Sequence, residues 1–202
     1  MKATLSKLII ALAGLALCLQ TKATITVALE PSSQTISPGD TTSLDLVISG
    51  LGDHAPPSLG GFFFDLSYDP VILSPHSVGF GSHLDLGIFG SVRTSDISTP
   101  GTIHVDEISL ETAADLEANQ PSSFTLATLG FKGVGPGTSL VDITFGSLAD
   151  ETGGLSLDFI TQSAQIEVAG VAAIPDVGST ARWLAMSVLG LFMLRRSAAI
   201  RI

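Results

Sequence analysis

One cysteine, one tryptophan and one tyrosine are all that the 202 residues hold of these three types. The cysteine, Cys18, falls in an N-terminal stretch read below as a removable leader, so disulfides and thiol chemistry are excluded from the exported chain. Stability must then come from apolar burial. Modules that bind crystalline polysaccharide commonly stack sugar rings on flat arrays of Trp and Tyr, and a lone Tyr68 with a distant Trp183 provides no such platform. Basic residues are scarce as well. Between residues 24 and 174 only Arg93 and Lys132 stand against eighteen acids, a balance of −16. Such a surface repels phosphate backbones and anionic headgroups, which excludes nucleic acid as a partner. Charged residues make up only 14% of the chain and hydrophobic ones 45%, with 21 Gly and 10 Pro. That composition excludes disorder and coiled coil and leaves a turn-rich globular chain, one domain by length.

Both ends address the chain to a membrane. Residues 1–23 read as a signal peptide: Lys2 and Lys7 supply the positive start, Leu8 to Leu19 the apolar core, and Thr21-Lys22-Ala23 the cleavage site. Lipoprotein processing at Cys18 is the alternative, opposed by the bulk of Leu17 before it. Residues 171–202 form the other address. The run from Trp183 to Leu194 would rise only about 18 Å as a helix, against a hydrocarbon core of about 30 Å. Arg195-Arg196 follows at once and would stay on the cytoplasmic side. Ahead of this helix (181–194) and basic tail (195–202) stands a break of turn formers, Ile174-Pro175-Asp176-Val177-Gly178-Ser179-Thr180. Motif, short helix and Arg pair together resemble the VPDSG type of PEP-CTERM sorting signal. The resemblance implies cleavage by an exosortase-like membrane enzyme during export to the surface of a Gram-negative-type bacterium. Ile174 and Val177 depart from the residues that family prefers, and Arg182 at the helix start can snorkel. An ordinary tail anchor is the alternative. In either case the membrane is a partner only through this helix.

Between the signals, residues 24–170 alternate with period two. Ile25, Val27 and Leu29 share a face, as do Leu44, Leu46 and Ile48, and Phe62, Phe64, Leu66 and Tyr68. Later sets are Ala127, Leu129 and Phe131; Val141, Ile143 and Phe145; Leu155, Leu157 and Phe159; and Ala164, Ile166 and Val168. Turn formers punctuate them at Ser37-Pro38-Gly39-Asp40, Asp69-Pro70, Gly133 to Gly137 and Gly153-Gly154. Only Leu110 to Ala118 has helical composition, and Gly81 to Pro100 is a surface loop or an extra hairpin. The pattern predicts an all-β, antiparallel, two-sheet jelly-roll sandwich with Phe64 and Leu129 inward on facing strands.

The order of certain segments adds to this reading. Pro31 to Asp40, the strand Thr42 to Ser49, Gly60-Gly61-Phe62-Phe63-Phe64-Asp65-Leu66-Ser67-Tyr68-Asp69-Pro70, then Phe124 to Phe131 with Gly137-Thr138, resemble cohesin-like domains. That resemblance implies a nine-stranded jelly roll related to carbohydrate-binding modules. Founding members of the family bind dockerin modules, but no dockerin-contact motif can be matched here.

Catalytic constellations are not assembled in the sequence. No Gly-x-Ser-x-Gly elbow appears, and His54, His76, His83 and His104 stand singly, without helical zinc spacing. Nothing selects a carboxylate pair for glycosidase work. No cofactor is assigned. Calcium is the one candidate, because oxygen ligands are in surplus and Asp150-Glu151 precede Thr152-Gly153-Gly154, while Asp40 and Asp69 read more simply as turn residues. Phe63, outward on a polar face, is the candidate ligand contact. The expectation is an exported, non-enzymatic adhesive or structural module of the cell surface or extracellular matrix. Its partners would be an exosortase-like enzyme and either exopolysaccharide or another surface protein. A carbohydrate-binding module and a tail-anchored hydrolase are the rivals.

Overall fold

In the computed structural model the described residues are 24–154 and 156–170, so the leader, the sorting motif Ile174 to Thr180, the short helix and Arg195-Arg196 lie outside them. The described residues form β1 (Ile25–Glu30), β2 (Ser33–Ile36), β3 (Thr41–Ser49), β4 (Leu59–Ser67), β5 (Leu73–Phe80) and β6 (Ser91–Asp96). They continue with β7 (Thr102–Ser109), α1 (Ala113–Asn119), β8 (Ser123–Gly133), β9 (Gly137–Asp150), β10 (Phe159–Gln162) and β11 (Ala164–Val168). A five-stranded sheet runs β10-β1-β3-β8-β5 and a six-stranded sheet β2-β11-β9-β4-β7-β6. The inner faces meet in one core, where Leu44, Leu46 and Ile48 of β3 and Leu129 and Phe131 of β8 confront Phe64 and Leu66 of β4 and Val105 of β7. Period-two alternation thus places its apolar sets where the sequence predicts.

Two pairings differ from the antiparallel expectation: β1 with β10, and β2 with β11, are parallel. The cause is a double sheet switch. The chain leaves β1 through Pro31 and Ser32 to enter the opposite sheet as β2, and β10 crosses through Ser163 alone to β11. Both segments cross in the same direction side by side, so each half runs parallel to its neighbour. Counting each switching pair as one strand restores the nine implied by the cohesin-like resemblance.

A second difference lies in β9. Val141 and Ile143 are buried as expected, but Phe145 is 61% exposed. The β4–β9 register slips between Asp65 and Leu66, which pair with Phe145 and Ile143, so Thr144 is the extra residue of a bulge. One added residue turns all that follows to the other face. Gly146 takes the inward position instead, where a Cβ would overlap the Phe64 ring, and Leu148 resumes the core.

The remaining expectations resolve by local chemistry. Of the two readings for Gly81 to Pro100, the hairpin is formed, since β6 pairs with β7. The helix starts at Ala113 because Thr112 caps it, its side chain accepting the N–H of Asp115. Of the set Leu155, Leu157 and Phe159, Leu155 lies outside the described residues, while Leu157 and Phe159 pack against the core, Phe159 opening β10, and Ser156 forms an isolated bridge with Ala149. The preceding turn is held by Asp150, whose carboxylate accepts from Thr152 N–H, Thr152 O–H (2.7 Å) and Gly154 N–H.

Candidate functional site

The outer face of the six-stranded sheet carries a mixed aromatic and acidic surface, built row by row from strand register. β7 and β9 flank β4, so Asp106 and Ser147 stand beside Phe63, and His104 and Phe145 beside Asp65. The next row places Ile108 and Ala149 beside Gly61, with Val92 of β6 beyond Ile108. Phe63 is outward as predicted and half-buried, because its neighbours cover it. Its ring meets His104 edge-on at 4.6 Å and Phe145 at 5.6 Å between centroids. The two phenyl planes stand 83° apart. A perpendicular pair does not form a flat stacking platform.

His104 is the electrostatic centre of this surface. Its Nδ1 lies 2.8 Å from Asp65 Oδ1 and its Nε2 3.0 Å from Asp106 Oδ2. Two carboxylate acceptors require both ring nitrogens to donate, which is the imidazolium form. Asp65 accordingly raises the His104 pKa above its ordinary value, with burial opposing and Asp106 reinforcing. With both nitrogens engaged to carboxylates, the Asp-His-Asp group is arranged as a charge cluster. Asp96 pairs in register with His104 from β6, and its carboxyl is held below the usual range chiefly by the Ser98 side chain and N–H.

The raised His104 value has a testable sign. Its contribution to stability is complete below pH 6.5 and is lost as pH rises through the higher folded value. The unfolding free energy of the wild type from urea denaturation should therefore fall on passing above pH 6.5 relative to that of His104→Gln, by no more than about 1 kcal/mol for ion pairs this exposed. Parallel profiles for the two proteins would contradict the assignment.

Beside the face, the loop before β6 presents Ile88 and Phe89, both more than half exposed. Glu111 fixes that loop: its carboxylate accepts the N–H groups of Leu86, Ile88, Phe89 and Gly90 at 3.1–3.2 Å. Burial alone would raise the Glu111 pKa, and these N–H donors outweigh it, so the group titrates below its ordinary value. Two adjacent apolar side chains are thus displayed on a braced loop.

The carboxylates named from sequence are occupied locally. Asp40 accepts Ser37 N–H and Asp69 accepts Val71 N–H, as turn residues do. Asp150 braces its own turn and Glu151 accepts Ser58 N–H. Among the described residues no group of three or more His, Cys, Asp and Glu is arranged to hold a metal, and Asp150 and Glu151 gain no third such ligand. Phe145, Ile108 and Val92 were invisible as site residues: the first was assigned inward, and the others join the face only through pairing. His104-Val105-Asp106 did carry a signal, since residues two apart on a strand share a face.

No known family profile matches the chain, and no curated protein matches it. Solved structures do. CaCohA2 from Clostridium acetobutylicum is 23% identical with a TM-score of 0.56, over 75% of this chain and 94% of that one. The sixth cohesin of scaffoldin B from Acetivibrio cellulolyticus, solved with a Cel5 dockerin, is 14% identical with a TM-score of 0.57, over 72% and 99%. A non-cellulosomal cohesin from the archaeon Archaeoglobus fulgidus is 17% identical with a TM-score of 0.55, over 73% and 93%. The described sandwich has the cohesin fold.

Proposed function

We propose that this protein is an exported, non-enzymatic docking module that holds another surface protein against the outer face of its six-stranded sheet. The observation that carries the reading is the cluster of Phe63, Phe145, His104 and Ile108 on neighbouring strands. Phe145 and Ile108 lie exposed there near Asp65 and Asp106, an anatomy of apolar centre and polar surround suited to protein recognition. A cohesin of the same fold is known in complex with a dockerin, which supports a protein partner. The partner class here is wider than dockerins, because no contact motif is shared. Export rests on the leader, and surface delivery on the motif Ile174 to Thr180 with its short helix and Arg195-Arg196, read by an exosortase-like enzyme.

A photo-crosslinking residue at Phe145 should capture a protein in the native host, while the same residue at Thr26, on β1 of the other sheet, should not. Capture at Thr26 alone, or of polysaccharide at Phe145, would overturn the docking face. Processing is tested separately by intact mass. Protein recovered from the cell surface or medium should lack the segment from Trp183 to Ile202. A complete C-terminus there would leave the tail anchor as the better reading.

A further inference from the structure

The outer face is interrupted where β4 begins. Gly60 and Gly61 offer no side chain to the row between Ile108 of β7 and Ala149 of β9, and a cleft of about 700 Å³ opens above them. Ile108, Leu110 and Glu111 line it from one side, the turn carrying Glu151 from the other, and Phe63 and Asp106 from the aromatic cluster. Ile108 and Leu110 are each more than half exposed, so its rim is apolar as well as acidic.

The charge in this cleft is not neutralised by Lys or Arg. The His104 imidazolium answers Asp106, whereas Glu111 takes only backbone N–H groups in the bonds described above and Glu151 accepts Ser58 N–H at 3.0 Å. The described residues contain two strong bases. Arg93 is bound to Glu107 and Asp85, and Lys132 belongs to β8 in the other sheet. Glu111 and Glu151 thus face the cleft without a cationic partner in the bonds above, and the occupant that suits them brings a positive charge, with an aliphatic stem to lie over Gly61 against Ile108. Anionic lipids, phosphates and acidic peptides fail the first condition, and small hydrophilic cations fail the second.

Resting on the docking-module reading, we infer that this cleft receives a Lys or Arg side chain flanked by apolar residues, presented by the partner protein. The long stem of such a side chain covers apolar surface while its head reaches carboxylates. Charge complementarity of this kind selects the partner and speeds encounter.

The test uses the full chain and a blocked pentapeptide with the centre Val-Lys-Val, titrated calorimetrically at low salt. That peptide should bind about tenfold more tightly than its norleucine counterpart, a difference that added salt erodes. Its Ser-Lys-Ser counterpart should also bind more weakly. Glu151→Gln keeps an acceptor for Ser58 N–H and should weaken binding about threefold. Ser147→Trp, at an exposed position lining the cleft, should block it. Asp142→Asn removes the same charge farther along β9, beside Ser67, and should leave binding unchanged. Equal binding of the lysine and norleucine peptides, or equal losses for Glu151→Gln and Asp142→Asn, would overturn the cleft. A protein captured at Phe145 but indifferent to Glu151→Gln would overturn the cleft alone and keep the docking face. Lysine-peptide binding without any captured protein would support the cleft and count against the face.

Discussion

Phe64→Ala should cost the sandwich about 3–5 kcal/mol, the range for deleting a buried aromatic side chain and leaving a cavity. The ring is fully buried on β4, stacked 5.8 Å from Phe62 and edge-on at 5.7 Å to Phe159. Gly146 of β9 lies against it and has no side chain to fill the space. Leu129→Ala, on β8 across the core, should cost about 2–5 kcal/mol by the same mechanism. Ser67→Ala, on the outer side of β4, should be nearly silent. Equal and small shifts for all three in urea denaturation would mean that the inner and outer sides of the strands are misassigned.

Gln120→Leu is the second large effect expected, and it concerns a residue with no hydrophobic role. Gln120 follows α1 and is fully buried. Its Oε1 accepts Leu59 N–H at 2.7 Å, while Nε2 donates to Leu59 C=O at 2.8 Å and to His83 C=O at 3.0 Å. The side-chain amide thus imitates a strand neighbour at the start of β4, on the side where pairing with β7 begins only at Gly61. Leucine fills a similar volume but strands two buried backbone groups of Leu59 and the part-buried His83 C=O, a buried group being worth about 1–3 kcal/mol when unpaired. The loss should therefore reach about 3 kcal/mol or more in the same urea series. A loss below about 1 kcal/mol would show that the amide is not the clamp. Because Leu59 leads into Gly60 and Gly61, this clamp also sets the floor of the cleft.

The inner faces were legible in the sequence because burial at every second residue leaves a direct mark. Leu44, Leu46 and Ile48, and Ala164, Ile166 and Val168, are buried as their alternation predicts. The β9 bulge left no such mark. Val141, Ile143 and Phe145 alternate as a single strand would, and only the slipped pairing against Asp65 and Leu66 reveals that Phe145 has turned outward. The parallel edges were hidden for a related reason, since they follow from where Pro31 and Ser163 send the chain and not from any residue preference. The docking face lay deeper still. Phe63 was singled out, yet its companions come from strands about 40 and 80 residues away, and a surface assembled by long-range pairing has no local signature. Asp150 and Glu151, two adjacent acids before a Thr-Gly-Gly turn, accept backbone N–H groups in the fold, a role that their sequence context does not specify.

The docking face is tested most directly by hydroxyl-radical footprinting of the full chain with and without the protein captured at Phe145. Exposed apolar residues are distributed over the surface as natural reporters, among them Phe145, Ile108 and Val92 on the face and Val71, Val134 and Ile160 away from it. Partner binding should suppress oxidation of Phe145, Ile108 and Val92 and leave Val71, Val134 and Ile160 as reactive as before. Protection of Val71, Val134 or Ile160 with Phe145 and Ile108 still reactive would contradict the account.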